Sequence, residues 1–371
     1  MPSRESGFAP QAGVPLAPLT TLGVGGAARW FVHATDDAEV VAADRWCAER
    51  GASLFVLGGG SNLVISDDGV NGLVLQIGMT GHERSEDGGD VLVTARAGTS
   101  WDDVVAAVVG GDLAGLECLS GIPGTVGGTP VQNVGAYGQE VADTIEYVTA
   151  FDRRSQEIVT LRANECGFSY RMSRFKQADA GRFIICGVAF RVRPGRPTTT
   201  YPDIQRFLER HRIVAPTLRD VRHAILATRR AKGMVIDAQD PDTRSVGSFF
   251  MNPIVTVDAQ ERVASTAGEA PPAYPLGDGE VKLSAAWLID HAGFPRGFVD
   301  GAVGLSGKHP LAIINRGAAT ARDVLRLATR IKRQVGERFG VWLRPEPVFV
   351  GFAADRDVEY LHKTDGSCRH Y

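Results

Sequence analysis

The chain has 371 residues, with 40 Lys and Arg against 43 Asp and Glu, which gives a net charge of −3. This length predicts two or three domains, and the near-neutral charge argues against a general affinity for nucleic acid or an anionic membrane. No apolar run approaches the ~18 residues of a membrane span, and residues 1–14 lack the basic start and apolar stretch of a signal peptide. We therefore expect a cytoplasmic protein that binds neither nucleic acid nor a membrane.

Cysteine and glycine contents narrow the class of protein further. The five cysteines are scattered, odd in number and never paired as CxxC, which favours a reducing compartment and argues against a disulfide framework or a zinc cage. We therefore predict no metal site. The 44 glycines are about 12% of the chain, against a usual ~7%. Glycine is needed where backbone approaches a ligand closely or turns with positive φ.

The first part of the chain alternates helix and strand patterns. In chain order we predict a frayed tail at 1–15, an amphipathic helix capped within residues 35–37 that stops at Gly51, and strands at 53–57, 64–65 and 73–77. We then predict a polar break at 81–90, a strand at 91–95 and a helix at 101–109 capped by Ser100. The first 80 residues are expected to form a small α/β unit with a glycine loop at a strand end.

After a glycine-dense stretch at 110–138, the pattern moves from strands towards helices. We predict a hairpin at 145–161, an apolar strand at 183–192, a breaker cluster and domain boundary at 193–197, helices at 218–232, 281–292 and 320–339 with Gly340 as the stop, and a polar, disordered stretch over the last ~18 residues.

Two glycine clusters are candidates for ligand binding. Residues 58–62 (GGGSN) follow a strand, and successive glycine N–H groups are suited to a phosphate or pyrophosphate. The sequence is not GxGxxG and lacks the acidic residue of a dinucleotide-binding Rossmann unit, so a glycine-rich turn is an equal alternative. The second cluster, at 121–138, is long and non-helical, which is typical of functional segments. Together they predict a large cofactor with a phosphate-bearing middle, against the alternative of two unrelated loops.

Three further segments carry possible catalytic groups, each with a plain alternative. Residues 168–176 alternate aromatic and cationic side chains. An arginine in this segment is suited to bind a carboxylate or phosphate, and the alternative is a solvated basic loop. Ser248 is either a proton donor or a serine on a strand. Glu346 lies between two prolines, which makes it a rigid carboxylate or an exposed turn residue. The cations at 229–232 either grip a phosphate or form a solvated face.

Six segments, taken in order, resemble one family. They are LGGGSN at 57–62, SGIPGTVGGTPVQNVGAYG at 120–138, FSYRMSRFK at 168–176, VGSFFMNP at 246–253, VKLSAAWLID at 281–290 and WLRPEPVFVG at 342–351. Together they are similar to the UDP-N-acetylenolpyruvoylglucosamine reductases, the flavoenzymes of bacterial peptidoglycan precursor synthesis. The resemblance runs from residue 17 to residue 352.

The resemblance implies an α+β fold, in which a two-subdomain FAD-binding domain of the vanillyl-alcohol-oxidase type is joined to a C-terminal α/β substrate domain. It places the FAD-binding domain at 15–213 (subdomains 15–80 and 81–213, completed by 344–355), the substrate domain at 214–343 and a flexible tail at 356–371. Non-covalent FAD is expected to contact Gly58, Gly59, Gly60, Ser61, Asn62, Pro123, Gly124, Thr125, Gly127, Gly128, Val131, Gly135, Ala136, Tyr137 and Ile185.

The resemblance also implies the catalytic residues, which are Arg171, the proton donor Ser248 and Glu346. The implied substrate contacts are Tyr137, Tyr201, Lys232, Asn252 and His309. NADPH is expected to reduce FAD and leave. UDP-N-acetylglucosamine enolpyruvate is then expected to take hydride from the flavin and a proton from Ser248, in an enzyme that works as a monomer.

Two other functions compete with this one. A flavin oxidase of the same cofactor fold would act on a sugar or alcohol, and such enzymes often tether FAD through His or Cys in the glycine loop, where this chain has neither. A non-catalytic nucleotide-binding or scaffold protein would take up no FAD. The resemblance favours the reductase over both.

Overall fold

A computed structural model describes residues 8–363 of the chain. The first subdomain holds β1 (Gln11–Pro15), β2 (Ala27–Ala34), α1 (Asp37–Arg50), β3 (Leu54–Leu57), β4 (Leu63–Ile65) and β5 (Val70–Ile77). Its sheet has the order β1-β2-β5-β3, with β2, β5 and β3 parallel and β1 antiparallel. The expected frayed tail is therefore wrong over residues 11–15, because β2 supplies backbone partners that local sequence does not show.

The helix of this subdomain begins and ends as its sequence predicts. The Asp36 carboxylate accepts a hydrogen bond from the Glu39 N–H at 2.8 Å, which satisfies one of the free donors of the first turn. Gly51 closes α1 in the left-handed region, with φ +60°. α1 packs against β2 and β5 of the sheet. The glycine-rich segment that follows β3 therefore begins at the end of a strand in a sheet that a helix covers.

The second subdomain is built on an antiparallel sheet. It contains β6 (His82–Asp87), β7 (Asp90–Arg96), α2 (Trp101–Gly110), β8 (Leu113–Ala114), β9 (Gly135–Ala136), β10 (Gln139–Glu140), β11 (Ile145–Asp152), β12 (Glu157–Arg162) and β13 (Phe183–Pro194). The order is β12-β11-β13-β7-β6, and β8 pairs with the end of β13. β6 corrects the expected polar break, since this exposed edge strand takes its hydrogen bonds from β7.

The C-terminal part combines helices with small antiparallel sheets. Its elements are α3 (Pro202–Arg210), α4 (Leu218–Ala231), β14 (Ile254–Thr256), α5 (Val257–Ala267), β15 (Ala273–Gly277), β16 (Glu280–Leu283), α6 (Ala285–His291), β17 (Val299–Asp300), β18 (Val303–Leu305), β19 (Ile313–Asn315), α7 (Ala321–Phe339), β20 (Val348–Val350) and α8 (Arg356–His362). The sheets have the orders β14-β16-β15 and β17-β18-β19. β20 pairs in parallel with β4 and so returns the chain to the first subdomain.

Two sequence expectations are corrected in this part. The single helix expected at 281–292 is a strand followed by a shorter helix, because Val281 and Leu283 alternate inward on β16 and Ser284 caps α6 through the Trp287 N–H. The flexible tail expected from residue 356 is wrong over α8, where Leu361 is fully buried. Residues 364–371 of that expected tail lie outside the described residues.

The core is divided between the N-terminal sheets and the C-terminal helices. Trp101 of α2 is fully buried, and its ring lies 5.5 Å from that of Phe190 on β13. α7 contributes a long apolar face, including Leu325, Ile331 and Val335, to a separate C-terminal core. None of the helices among residues 8–363 is long and apolar enough to cross a membrane. The boundary between the FAD-binding and substrate domains stays a prediction.

Candidate active site

A cleft of about 370 Å³ lies where the two glycine clusters meet the C-terminal part. Its walls include the loop after β3, the segment around 122–136 and residues 243–248. All predicted cofactor contacts line it except Gly127, Tyr137 and Ile185. The two glycine clusters, although about sixty residues apart in sequence, therefore form one site.

The two glycine loops contact each other through backbone. A Cβ added to Gly59 would lie 2.7 Å from Gly124 Cα, and the Ser61 hydroxyl donates to the Pro123 carbonyl at 3.1 Å. Thr125 lies beside this contact, and its buried Oγ1 has no hydrogen-bond partner among the described residues. A buried hydroxyl without a partner is costly, so this atom is suited to a polar ligand in the cleft.

Three predicted cofactor positions lie off the cleft wall. Gly127 is packed against Ala97, since a Cβ there would come within 2.7 Å of the Ala97 side chain. Ile185 is only 7% exposed and belongs to the core behind β13. Tyr137 has a positive φ of +50°, and its ring lies 5.2 Å from the ring of Tyr201. Their contacts with a cofactor stay predictions.

Arg171 lies at one end of the cleft, held by the second glycine cluster. Its Nη2 donates to the Gly135 carbonyl at 2.6 Å, and its Nε lies 3.5 Å from Glu346 Oε1. The backbone φ of +56° is unusual for a residue with a side chain. Such conformations persist where surrounding contacts impose them and are concentrated at functional sites.

Glu346 faces both Arg171 and a second cation. Its carboxylate Oε1 accepts from Gln132 Nε2 at 3.4 Å, and Lys176 lines the cleft beside it. Burial raises the pKa of Glu346 above its usual range, although Arg171 and Lys176 act in the opposite direction. Burial likewise lowers the pKa of Lys176. A second cavity, of about 250 Å³, is also lined by Arg171, Lys176 and Glu346. These three charged groups therefore lie where the cleft and the second cavity meet.

Ser248 lies near Glu346 because the segment that follows Ser248 pairs with the segment that carries Glu346. The Glu346 N–H donates to the Phe249 carbonyl at 2.9 Å, and Phe250 forms an isolated antiparallel bridge with Pro345. Phe249 and Phe250 are buried and anchor the segment. Ser248 Oγ lies 3.2 Å from His309 Nε2, so this predicted substrate contact is adjacent to the predicted proton donor.

The other predicted substrate contacts divide between two places. Lys232, at the end of α4, donates to Asp203 Oδ2 of α3 at 2.9 Å, and Tyr201 at the start of α3 is 40% exposed. Asn252 instead lines the second cavity, and its Oδ1 accepts from the Ala285 N–H at 3.0 Å.

The sequence predicts no role for two cleft residues, Lys176 and Gln132, and leaves a third, Arg229, between a phosphate contact and a solvated face. Lys176 and Gln132 flank Glu346, and Arg229 lines the cleft although it is only 8% exposed. Arg229 Nη2 donates to the Met234 carbonyl at 2.9 Å. Two of these residues lie in segments with a sequence signal. Lys176 belongs to the alternating cations and aromatics at 168–176, and Arg229 belongs to the basic run at 229–232.

Comparisons with known proteins identify the family. Residues 239–350 match the family described as UDP-N-acetylenolpyruvoylglucosamine reductase, C-terminal domain, and residues 28–162 match an FAD-binding domain family. The UDP-N-acetylenolpyruvoylglucosamine reductase of Thermobifida fusca is 48% identical over 91% of this chain and 97% of its own length. The chain belongs to the UDP-N-acetylenolpyruvoylglucosamine reductase family.

Other UDP-N-acetylenolpyruvoylglucosamine reductases agree with this placement. The Streptomyces coelicolor relative is 48% identical over 91% of this chain and 90% of its own length. The crystal structure of the Thermus caldophilus reductase is 26% identical, with a TM-score of 0.61, and covers 92% of this chain and 99% of that one. The expected fold class, an FAD-binding domain joined to a C-terminal domain of this family, is confirmed.

The cleft suits the cofactor that this fold class binds. Its glycine walls allow backbone to approach a pyrophosphate, and Thr125 Oγ1 offers a buried polar atom without a protein partner. No His or Cys is among the described residues that line the cleft, and non-covalent attachment of FAD stays a prediction.

Proposed function

We propose that this chain reduces the enolpyruvyl double bond of UDP-N-acetylglucosamine enolpyruvate to give UDP-N-acetylmuramate, with NADPH as the source of reducing equivalents. One observation carries the proposal. Arg171, Glu346 and Ser248 come from three distant segments and line the same glycine-walled cleft. Family membership supports the same reaction, because the relatives are named as reductases of this enolpyruvyl sugar nucleotide.

When bound, FAD supplies the hydride that adds to the double bond. The chain's own residues handle the negative charge and the proton. Hydride addition pushes charge towards the substrate carboxylate, and a guanidinium that is already held in place stabilises this charge more in the transition state than in the ground state. Arg171 is such a group, since its Nη2 is fixed by the Gly135 carbonyl.

Glu346 supports this charge stabilisation by carrying a proton. A carboxyl group whose pKa is raised by burial remains protonated closer to neutral pH, so it is able to donate a hydrogen bond to a substrate carboxylate. The rigid Pro345–Pro347 backbone and the Phe249 carbonyl hold Glu346 in place. Ser248 supplies the proton to the neighbouring carbon from the side of the cleft that it lines.

The cationic side of the cleft suits the diphosphate of the sugar nucleotide. Arg229 lines the cleft, and Lys232 lies near Tyr201 and Tyr137 at the end of α4. Lys232 is paired with Asp203, so phosphate binding there exchanges one anionic partner for another. The resemblance implies phosphate contacts from Tyr201, Lys232 and Asn252. Asn252 lines the second cavity, so we keep Tyr201 and Lys232 and add Arg229, which lines the cleft.

The same proposal includes a cytoplasmic monomer. Burial raises the pKa of the four described cysteine thiols, Cys47, Cys118, Cys166 and Cys186, to about 11 or 12, and all four are free. Buried, protonated thiols are compatible with a reducing compartment. The nucleotide substrate and NADPH are expected in the same compartment.

An anaerobic stopped-flow experiment tests the function. One equivalent of NADPH is expected to bleach the flavin band of the holoenzyme, and UDP-N-acetylglucosamine enolpyruvate is expected to restore it. A band that returns only with oxygen would contradict the substrate and favour the oxidase alternative. A protein that takes up no FAD would favour the scaffold.

A variant tests the proton donor within that experiment. Ser248→Ala is expected to keep flavin reduction by NADPH and to lose the second half-reaction by at least ~10²-fold, which is the contribution typical of a positioned general acid. Ser155→Ala, in the exposed turn between β11 and β12, is the matched control. Undiminished reduction of the sugar nucleotide by Ser248→Ala would refute the assigned role.

A further inference from the structure

The imidazole of His309 lies beside the hydroxyl of Ser248. Its Nε2 lies 3.2 Å from Ser248 Oγ, and this is the one hydrogen bond that either side chain makes to a described residue. The assignment of His309 as a substrate contact does not account for this pairing. The distance is instead what is expected when one group orients the other.

The loop that carries His309 is fixed by a buried serine. Ser306 Oγ accepts from the His309 N–H at 3.2 Å and from the Lys308 N–H at 3.0 Å, and it donates to Asp242 Oδ2 at 2.8 Å. Lys308 Nζ also pairs with Asp240 Oδ2 at 2.6 Å. Because Ser306 is fully buried, these bonds hold the imidazole in register with Ser248.

The low pKa of His309 leaves the imidazole neutral near pH 7. Burial lowers the pKa of His309 to about 4, and the cations Lys232, Arg296 and Arg229 act in the same direction. A neutral ring carries one N–H, on either Nε2 or Nδ1. Nδ1 makes no hydrogen bond to a described residue, so the tautomer matters mainly for the contact of Nε2 with Ser248.

The two tautomers have opposite consequences for Ser248. If Nε2 accepts, the hydroxyl hydrogen points at the ring and away from the cleft. If Nε2–H donates, it occupies a lone pair of Oγ and leaves the hydroxyl hydrogen free to point into the cleft. Only the second arrangement allows Ser248 to give a proton to substrate.

We propose that His309 is a positioning residue, whose Nε2–H donates to Ser248 Oγ, aims the hydroxyl proton into the cleft and stabilises the negative charge left on Oγ. This inference rests on the proposed function, in which Ser248 is the proton donor. The Oγ–H bond breaks, a C–H bond forms at the substrate carbon, and the electron pair stays on Oγ. A charge-assisted hydrogen bond is suited to hold that charge until solvent returns the proton.

Two variants separate hydrogen-bond donation from bulk. Gln keeps an N–H donor within reach, whereas Leu fills space without one. In the holoenzyme, His309→Leu is expected to slow the sugar-nucleotide half-reaction about 10- to 100-fold, and His309→Gln is expected to stay within about fivefold of the natural chain. Both are expected to bind FAD and to be reduced by NADPH normally. His82→Gln, on the exposed edge strand β6, is the control.

A second measurement does not depend on turnover. Nitrogen-15 NMR of histidine-labelled protein is expected to show His309 in the Nε2–H tautomer, with the signal assigned by its loss in His309→Gln. An Nδ1–H tautomer, or equal rates for the Leu and Gln variants, would overturn the inference. Failure of the natural holoenzyme to be reoxidised by the sugar nucleotide would instead overturn the proposed function, and the tautomer would still decide the hydrogen bond.

Discussion

Substitution of Gly59 by Ala tests whether the two glycine loops form one cofactor site. Gly59 has no positive φ, so Ala is compatible with its backbone conformation. The difficulty is space alone, since the new Cβ would lie 2.7 Å from Gly124 Cα, 3.0 Å from Gly124 C and 3.2 Å from Thr125 N. All three atoms belong to backbone, which cannot rotate away.

The size of the effect follows from these distances. Carbon atoms prefer separations of about 3.5–4.0 Å, so the loops must separate by roughly 0.8 Å. Overpacking of this kind costs about 1–3 kcal/mol. The same displacement widens the floor of the cleft beside Ser61 and Thr125, so we expect FAD affinity to fall about 10- to 100-fold.

Two assays measure the two parts of this prediction. Urea unfolding of the cofactor-free protein gives the loss of stability, and titration of flavin fluorescence gives the FAD dissociation constant. Gly110→Ala is the matched control, because a Cβ there meets nothing and Ala favours the end of α2 by about 0.5–1 kcal/mol. If Gly59→Ala unfolds and binds FAD as the natural chain does, the direct contact between the loops is not what shapes the cleft.

Three further substitutions test separate parts of the structure. Thr125→Val removes the buried hydroxyl that lacks a partner. The free energy of unfolding of the cofactor-free protein should stay the same or rise slightly, and flavin titration should show about a tenfold loss of FAD affinity. Lys332→Met removes the donor to the Tyr360, Leu361 and Lys363 carbonyls at the end of α8. Urea unfolding should show that the free energy of unfolding falls by about 2–4 kcal/mol, and the C-terminal segment should be cleaved faster by proteases. For His309, the folded pKa of about 4 lies below the ordinary 6.5, so the unfolded chain binds the proton more tightly. Stability should therefore fall by up to ~3 kcal/mol as pH drops from 6.5 to 4, and His309→Gln should lose that part of the slope. An unchanged slope in the variant would show that other groups carry the acid sensitivity.

The helices were the most predictable elements of the chain. α1, α4 and α7 appear where apolar periodicity predicts them, and the glycine stops of α1 and α7 are at Gly51 and Gly340 as predicted. The structure adds Thr217 and Thr320 as N-caps. A helix satisfies its backbone hydrogen bonds within a few residues, so local sequence carries the information that specifies it. Glycine clustering likewise marked the cleft, because close backbone approach restricts residue choice locally.

Strands without an apolar signature were not predictable. β1 and β6 are mostly exposed, and only the neighbouring strands β2 and β7 make them regular. The amphipathic α3 and the helix α5 were also missed. The segment at 281–292 shows the opposite error, since its apolar run predicts one helix, whereas its first residues form β16 and pair with β14 and β15.

The residue types available for chemistry, and the family to which the chain belongs, are readable from the sequence. The arrangement of these residues depends on tertiary contacts: the Glu346 N–H donates to the Phe249 carbonyl, Arg171 donates to the Gly135 carbonyl, and His309 lies beside Ser248. The segments in these contacts are separated by 36 to nearly a hundred residues. Contacts between such distant segments depend on how the whole chain packs, because no local hydrogen-bond pattern or periodicity encodes the partner.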